Sequence, residues 1–472
     1  MSSVCDQDWL QSLAQVETQP FCREVVRPRR IALISEHASP LADPGSVDSG
    51  GQNVYVAQVA RHLARQGYAV DVFTRRDAEF LPEILVWEDG VRVVHVPAGP
   101  ARFVPKEELL GYMDYFTDYV VDFCSRQILP YDMIHANFWM SGLVAANVKQ
   151  ALGLPFVVTF HALGRVRRLH QGEQDGFPDL RFTIEDRVVA EADHIIAECP
   201  QDEQDLLYLY NADPTKITII PCGIDPTEVR PVDKRRARHL LCLPEKELVI
   251  LQLGRIVPRK GVENGLRGFS RLVKKYGIQA RLLIVGGGSE DPDPELTPEL
   301  GRLQSITVEE GIAEKVTFTG RRSRKILKYY YSAADVFVST PWYEPFGITP
   351  IEAMACGTAV IGSNVGGIKY TIVDGETGYL IPPNDPDALA ERLAYLHKHP
   401  DLLKRFSQQA IQRVNELFTW QKVSVSIAAL YEALLVPDLY TLSSPYLSTV
   451  TRNAGSAWEM QSNIPVTLPR SE

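Results

Sequence analysis

The chain has 472 residues, too many for one hydrophobic core, so two domains of similar size are the expected organisation. Hydrophobic residues at 45% and charged residues at 23% match a globular protein and exclude a largely disordered one. With 49 basic and 59 acidic residues the formal net charge is -10, which argues against nucleic acid or anionic lipid recognised through the overall field.

Seven cysteines without paired spacing read as scattered core thiols in a reducing compartment, and no C-x-x-C or His/Cys cluster points to zinc. The first residues (MSSVCDQDWLQSLAQ) carry early acids and no apolar run, unlike a signal peptide, and no apolar stretch reaches spanning length. A cytoplasmic protein is expected, with no metal, no cofactor and no stable membrane association. Its oligomeric state is not legible here.

Residues 1–29 read as an N-terminal extension. From Arg30 the pattern is strand, glycine loop, helix, strand. Ile31 to Ser35 is a short apolar run, and Val47 to Gly51 is a turn cluster. Val54, Ala57, Val59, Ala60 and Leu63 recur at helical spacing, and Gly67 stops the helix before a strand at Val70 to Thr74. Further short runs at Val93–Val96, Met133–Ala136, Phe156–Phe160, His194–Ala197 and Ile217–Ile220 alternate with segments of helical length, which predicts parallel βαβ units over 30–222. The stretch Ile220 to Pro226 reads as the hinge. A second series over 223–419 has strands at Leu248–Leu253, Arg281–Val285, Val316–Thr319, Val336–Thr340 and Ala359–Gly362. An amphipathic stretch at 420–435 is expected to pack back onto the first half, and 436–472 reads as a tail. The fold class is α/β, two Rossmann-like doubly wound domains facing across a cleft, which is where open α/β sheets bind ligands.

Four stretches carry chemistry. In Glu344-Pro345-Phe346-Gly347-Ile348-Thr349-Pro350-Ile351-Glu352 a strand runs through a glycine turn into a helix. Gly347 lets backbone approach a ligand, and the helix start offers unpaired N–H groups to phosphate. Glu352 is placed to accept from ribose hydroxyls and Glu344 from sugar hydroxyls; one structural and one helix-capping carboxylate would fit the same spacing. In Gly254-Arg255-Ile256-Val257-Pro258-Arg259-Lys260-Gly261, Arg255 and Lys260 flank a strand–helix loop from which both can close over a diphosphate; a solvated turn is the alternative, best suited to Arg259. The third is Asp48-Ser49-Gly50-Gly51-Gln52-Asn53, where paired glycines at a helix start admit phosphate or sugar, or simply make a tight loop. The fourth is His161 at a strand end, either structural or catalytic. Asp291-Pro292-Asp293 has the look of a metal-binding D-x-D, but its proline-punctuated setting reads as surface loop.

Together these stretches resemble the retaining GT-B glycosyltransferases of glycosyltransferase family four, over about Arg30 to Leu435. Within that family the chain is similar to the bacterial sucrose-phosphate synthases and to the inositol-phosphate enzymes of mycothiol synthesis. The resemblance implies that Arg255 and Lys260 bind the donor diphosphate. It places Glu352 on the ribose, Glu344 with Phe346, Gly347 and Ile348 on the donor sugar, His161 near the reacting centre and Gly51 beside the leaving phosphates. Both groups use an anionic acceptor, which implies Lys106 and Arg181 as its cationic contacts, with Gly50, Gln52 and Arg165 beside them and Arg167 a further candidate. Phe138 departs from the inositol-phosphate pattern, where a tyrosine reaches the acceptor phosphate, whereas the His161-Ala162-Leu163-Gly164-Arg165 run favours the sucrose-phosphate type. The implied reaction moves glucose from UDP-glucose, or ADP-glucose, to fructose 6-phosphate. Rival readings are another acceptor (fructose, inositol phosphate or lipid), a non-catalytic sugar-nucleotide sensor, and a dinucleotide oxidoreductase, which lacks its G-x-G-x-x-G.

Overall fold

The computed structural model describes residues 27–42 and 50–436. The expectations for residues 1–26, for Asp48 and Ser49, and for 437–472 fall outside them. In the first half β1 (Arg30–Ile34), β2 (Ala69–Arg75), β3 (Ile84–Glu88), β4 (Val91–Val96), β5 (Met133–Asn137), β6 (Phe156–Thr159), β7 (His194–Ala197) and β8 (Ile217–Ile219) form one sheet. Its order is β3-β4-β2-β1-β5-β6-β7-β8, parallel except for β3. In the second half β9 (Leu248–Leu253), β10 (Ala280–Val285), β11 (Val316–Phe318), β12 (Val336–Ser339), β13 (Ala359–Ser363) and β14 (Gly378–Ile381) form an all-parallel sheet of order β11-β10-β9-β12-β13-β14.

Helices on both faces explain why the central strands are near-continuous apolar runs: every residue of β1 is buried. In the helix Gly51–Arg65 the side chains of Val54, Tyr55, Val59 and Leu63 are buried, and Gly67, at φ +92°, turns the chain out of it. Two strands escaped the sequence reading. β3 is a half-exposed edge strand, joined to β4 by an Asp89-Gly90 turn with Gly90 at φ +76°. β14 has only four residues, too few to show a period.

In each sheet the chain winds outward from one strand, then restarts beside it and winds the other way. The reversal falls between β1 and β5 in the first sheet and between β9 and β12 in the second. Such switch points open a crevice at the strand C-termini.

The chain crosses between the halves twice, side by side. Ile224 N–H donates to Phe418 O at 2.8 Å and Trp420 N–H to Ile224 O at 3.0 Å. A Cβ on Gly223 would stand 2.6 Å from Trp420 N, so the crossing requires glycine there. The helix Trp420–Leu435 then packs on the first half, where Gln66 Nε2 donates to Ser424 Oγ at 2.8 Å, Tyr68 OH to Glu432 Oε1 at 3.0 Å, and Tyr431 OH lies 2.7 Å from His135 Nδ1. Buried side chains from Leu33 and Tyr55 through Ile224 and Trp420 to Phe346 and Ile351 form one continuous apolar body.

Candidate active site

The two switch points face each other across one cleft. Its walls include thirteen of the fifteen residues singled out from the sequence: Gly50, Gly51, Gln52, Lys106, His161, Arg167, Arg255, Lys260, Glu344, Phe346, Gly347, Ile348 and Glu352.

On the second half, the loop after β9 folds against the end of β12. Gly261 sits at φ +62°, and a Cβ there would fall 1.8 Å from Thr340 O. Thr340 Oγ1 donates to Gly261 O at 2.7 Å, and Trp342 N–H to Arg259 O at 2.9 Å. This close approach brings Lys260 onto Glu344, 84 residues away in sequence, as a direct ion pair; Arg259 Nη1 adds a longer contact to the same carboxylate at 3.8 Å. Burial pushes the Lys260 ammonium down to about 8, against the pull of Glu344. Burial pushes the Glu344 carboxyl up, but Lys260 and Arg259 outweigh it and hold the group below its usual range.

Gly347, at φ +96°, caps the helix Ile348–Ala355, with Phe346, Ile348 and Thr349 along the cleft. Glu352 is 2% exposed: Arg324 Nη1 lies 2.8 Å from its Oε1, and Tyr331 OH donates to Oε2 at 2.8 Å. A carboxylate oxygen accepts more than one hydrogen bond, so each retains capacity for a hydroxyl. Arg321 and Arg322 complete this end of the cleft.

On the first half, His161 follows β6 at φ +58°, a left-handed conformation uncommon for a residue with a side chain. Its Nδ1 lies 2.9 Å from Glu198 Oε1, its Nε2 3.0 Å from Asn137 Oδ1, and Tyr55 stands edge-on to the ring at 4.7 Å. Behind it Glu198 N–H donates to Asp202 at 3.0 Å. Burial, reinforced by the Glu198 charge, pushes Asp202 up to about 8. Gln52 Nε2 donates to Ser35 Oγ and Asn137 O, both at 3.2 Å. The glycine pair abuts the other half: a Cβ on Gly50 would lie 3.7 Å from Arg255 Nε, and one on Gly51 3.4 Å from Ile348 Cδ1. Lys106 reaches the cleft beside Phe138, with Glu107 Oε1 at 3.2 Å.

Arg165 and Arg181 stand outside the cleft lining. Arg165 pairs with Asp186 at 2.5 and 2.7 Å, with its guanidinium 4.4 Å over the Tyr210 ring. Arg181 is 0% exposed: its Nε donates to Glu185 Oε1 at 2.7 Å, its Nη2 to Ala162 O, and Phe138, Trp139 and Phe177 surround the charge. Gly164 N–H donates to both Glu185 oxygens at 3.0 Å, and a Cβ there would lie 2.7 Å from Oε2. The glycine of the His161-to-Arg165 run therefore serves this buried ion pair. Arg167 lines the cleft, held by Asp175 Oδ1 at 2.8 and 3.1 Å.

The sequence reading missed Arg324, Tyr331, Glu198 and Asn137, whose partners lie far away in the chain, and Tyr343. Tyr343 bridges the halves, stacking on His170 at 4.9 Å and accepting from Gln171 Nε2. Asp291 and Asp293 occupy the loop before the helix Pro298–Glu309, where Asp293 Oδ1 accepts from Glu295 N–H at 2.8 Å. Among the described residues no group of three or more His, Cys, Asp or Glu is placed to hold a metal ion, and no helix is long and apolar enough to cross a membrane. The described cysteines are free thiols, all buried except Cys242.

Residues 233–413 match the family model for glycosyl transferases group 1, and residues 49–228 that for Glycosyltransferase Family 4. The chain is 36% identical over 409 residues to D-inositol 3-phosphate glycosyltransferase 2 of Catenulispora acidiphila, covering 86% of this chain and 95% of that protein. It is 36% identical over 411 residues to the D-inositol 3-phosphate glycosyltransferase of Stackebrandtia nassauensis, covering 86% and 91%. Among solved structures it is similar to the sucrose-phosphate synthase of Thermosynechococcus elongatus, at TM-score 0.80 and 34% identity, covering 87% of this chain and all of that one. Two facing Rossmann-like domains with these family matches make the chain a glycosyltransferase of the GT-B fold, a member of glycosyltransferase family 4.

Proposed function

We propose that this glycosyltransferase moves glucose from UDP-glucose to fructose 6-phosphate with retention of anomeric configuration, giving sucrose 6-phosphate. The observation that carries the reading is the charge on the two sides of the cleft. Arg255 and Lys260 stand at the second switch point, and Lys106 and Arg167 line the cleft from the first half, so each half offers cations to an anionic group. The similarity to a sucrose-phosphate synthase and the absence of a hydroxyl at Phe138 support the acceptor.

In this reading the donor diphosphate lies against Arg255 and Lys260, the ribose on Glu352 and the glucose beside Glu344 and the backbone of Phe346 to Ile348. The acceptor hydroxyl oxygen attacks the anomeric carbon on the face the diphosphate leaves. As the old C–O bond breaks, the hydroxyl proton passes to a departing phosphate oxygen and both bonding electrons stay on the diphosphate. Arg255 and Lys260 stabilise that growing charge, an effect that needs fixed cations in place beforehand. No residue of the chain becomes covalently attached, and no metal is required.

A second reading, with an inositol phosphate as acceptor, is favoured by the 36% identity to the inositol 3-phosphate enzymes. Incubation with UDP-glucose and, separately, fructose 6-phosphate, inositol 1-phosphate, inositol 3-phosphate or fructose tests both. Rapid UDP release is expected with fructose 6-phosphate. Turnover confined to an inositol phosphate would move the assignment to the second reading, and turnover with fructose alone would reject both.

A further inference from the structure

On the second-half wall of the cleft, two side chains in contact each leave a buried polar atom without a hydrogen bond among the described residues: Glu352 at Oε1 and Arg324 at Nη2. The helix Arg324–Ala333 begins with Arg324 and carries Tyr331 seven residues further, about two turns, so both side chains leave the same face. That face meets Glu352 in the helix Ile348–Ala355. Tyr331 is wholly buried, and its OH donates to Glu352 Oε2 at 2.8 Å. Burial and the Glu352 charge push the Tyr331 hydroxyl well up, so it stays a donor. Arg324 Nε donates to Glu228 Oε2 at 3.3 Å, and Nη1 lies 2.8 Å from Glu352 Oε1 as an ion pair without hydrogen-bond alignment. Two carboxylates thus hold the guanidinium, and Tyr331 and Arg324 hold the Glu352 carboxylate. Neither group is free to turn.

Buried donors and acceptors left unpaired are costly, and more so when charged. A carboxylate oxygen only accepts and a guanidinium N–H only donates, so one ligand group that satisfies both must do both. A hydroxyl does. A phosphate oxygen would meet the charge of Glu352, and an ammonium would meet that of Arg324.

From this geometry we propose that Arg324 binds the nucleotide-sugar directly, sharing one ribose hydroxyl with Glu352 and so selecting ribonucleotide over deoxyribonucleotide donors. The hydroxyl proton goes to Glu352 Oε1, and its oxygen accepts from Arg324 Nη2. The proposal rests on the reading that the ribose lies on Glu352. A hydrogen in place of that hydroxyl would leave both buried ions unpaired at once, which is how a site built for a hydroxyl rejects the analogue that lacks it.

The experiment measures binding of UDP, 2′-deoxy-UDP and 3′-deoxy-UDP by calorimetry in the wild type and in Arg324→Lys. Lysine keeps a positive charge beside Glu352 but has one nitrogen, so it supplies the ion pair without the second arm. The wild type is expected to bind UDP about 10- to 100-fold more tightly than one of the two deoxynucleotides, the scale of a hydrogen bond to charged groups. Arg324→Lys is expected to bind UDP about tenfold more weakly and that deoxynucleotide as before, so the preference shrinks by the same factor. In turnover the KM for UDP-glucose rises while kcat is kept, because the ribose contact is equal in ground and transition states. Arg324→Gln serves the same comparison if the lysine variant does not fold.

An equal loss for all of these nucleotides, or failure of both variants to fold, makes Arg324 a brace and overturns the proposal while the assigned reaction stands. Unchanged UDP affinity in Arg324→Lys does the same. A wild type that binds UDP and its deoxy forms alike takes the ribose off Glu352 and overturns the proposal, and the acceptor panel still decides the reaction. If the wild type binds ADP instead of UDP, the comparison is made with ADP and its deoxy forms; a preference that shrinks in Arg324→Lys then keeps the role of Arg324 while the assigned nucleotide falls. Binding of neither nucleotide overturns both.

Discussion

The two halves share an architecture but build the charged pairs at and beside the cleft differently. On the second half, charged groups from separate elements pair along the cleft wall: Lys260 with Glu344, 84 residues apart, and Arg324, at the start of one helix, with Glu352 inside another. On the first half, the arginines of residues 165–181 pair with acids of the same local stretch: Arg165 with Asp186, Arg167 with Asp175, Arg168 with Asp179 and Arg181 with Glu185. A cation held by a sequence neighbour braces its own helices. Of the arginines that read from sequence as acceptor contacts, Arg165 and Arg181 stand outside the cleft lining and Arg167 stands in it.

The largest expected effect tests that bracing. Glu185→Ala leaves the Arg181 charge buried without its carboxylate and is expected to cost about 3–5 kcal/mol of stability by denaturant titration, with UDP affinity of the folded protein unchanged. A stable variant that fails to use its acceptor would put Arg181 back in the site and break the contrast between the halves.

Next comes Lys260→Ala, expected to lower kcat by about 100- to 1,000-fold, since one preorganised contact to developing charge is removed. Its pH profile sharpens the point. In the proposed reading the diphosphate binds the protonated ammonium, and burial brings that group down to about 8. Thus kcat/KM for UDP-glucose should fall as pH rises through 8, and Lys260→Arg should shift that fall to higher pH, because a guanidinium stays protonated. A profile that is flat from pH 7 to 9 would remove Lys260 from the diphosphate.

The smallest effect belongs to Arg165→Ala. Its pair with Asp186 is solvent-exposed, so stability should change by less than about 1 kcal/mol and the acceptor KM not at all. A marked rise in that KM would return Arg165 to the acceptor side.

Much of the fold was legible because buried parallel strands are short apolar runs and glycines end their helices. β3 was not, since one of its faces lies open and its only signal was the Asp89-Gly90 turn. The second-half site was legible because Gly261 and Gly347 both take a positive φ, which leaves a glycine in the sequence at each loop. The carboxylate beside His161 was not: Glu198 lies 37 residues further along the chain, outside any local pattern.

By itself, then, the sequence determined two doubly wound halves, the order of their strands along the chain and the loops bearing Arg255, Lys260, Glu344 and Glu352, because periodicity and glycine geometry are local properties. Only the tertiary structure decided which charges face the cleft. That depends on where distant strand ends meet, and folding then buried Arg181 in its pair with Glu185 while leaving Lys106 on the cleft wall.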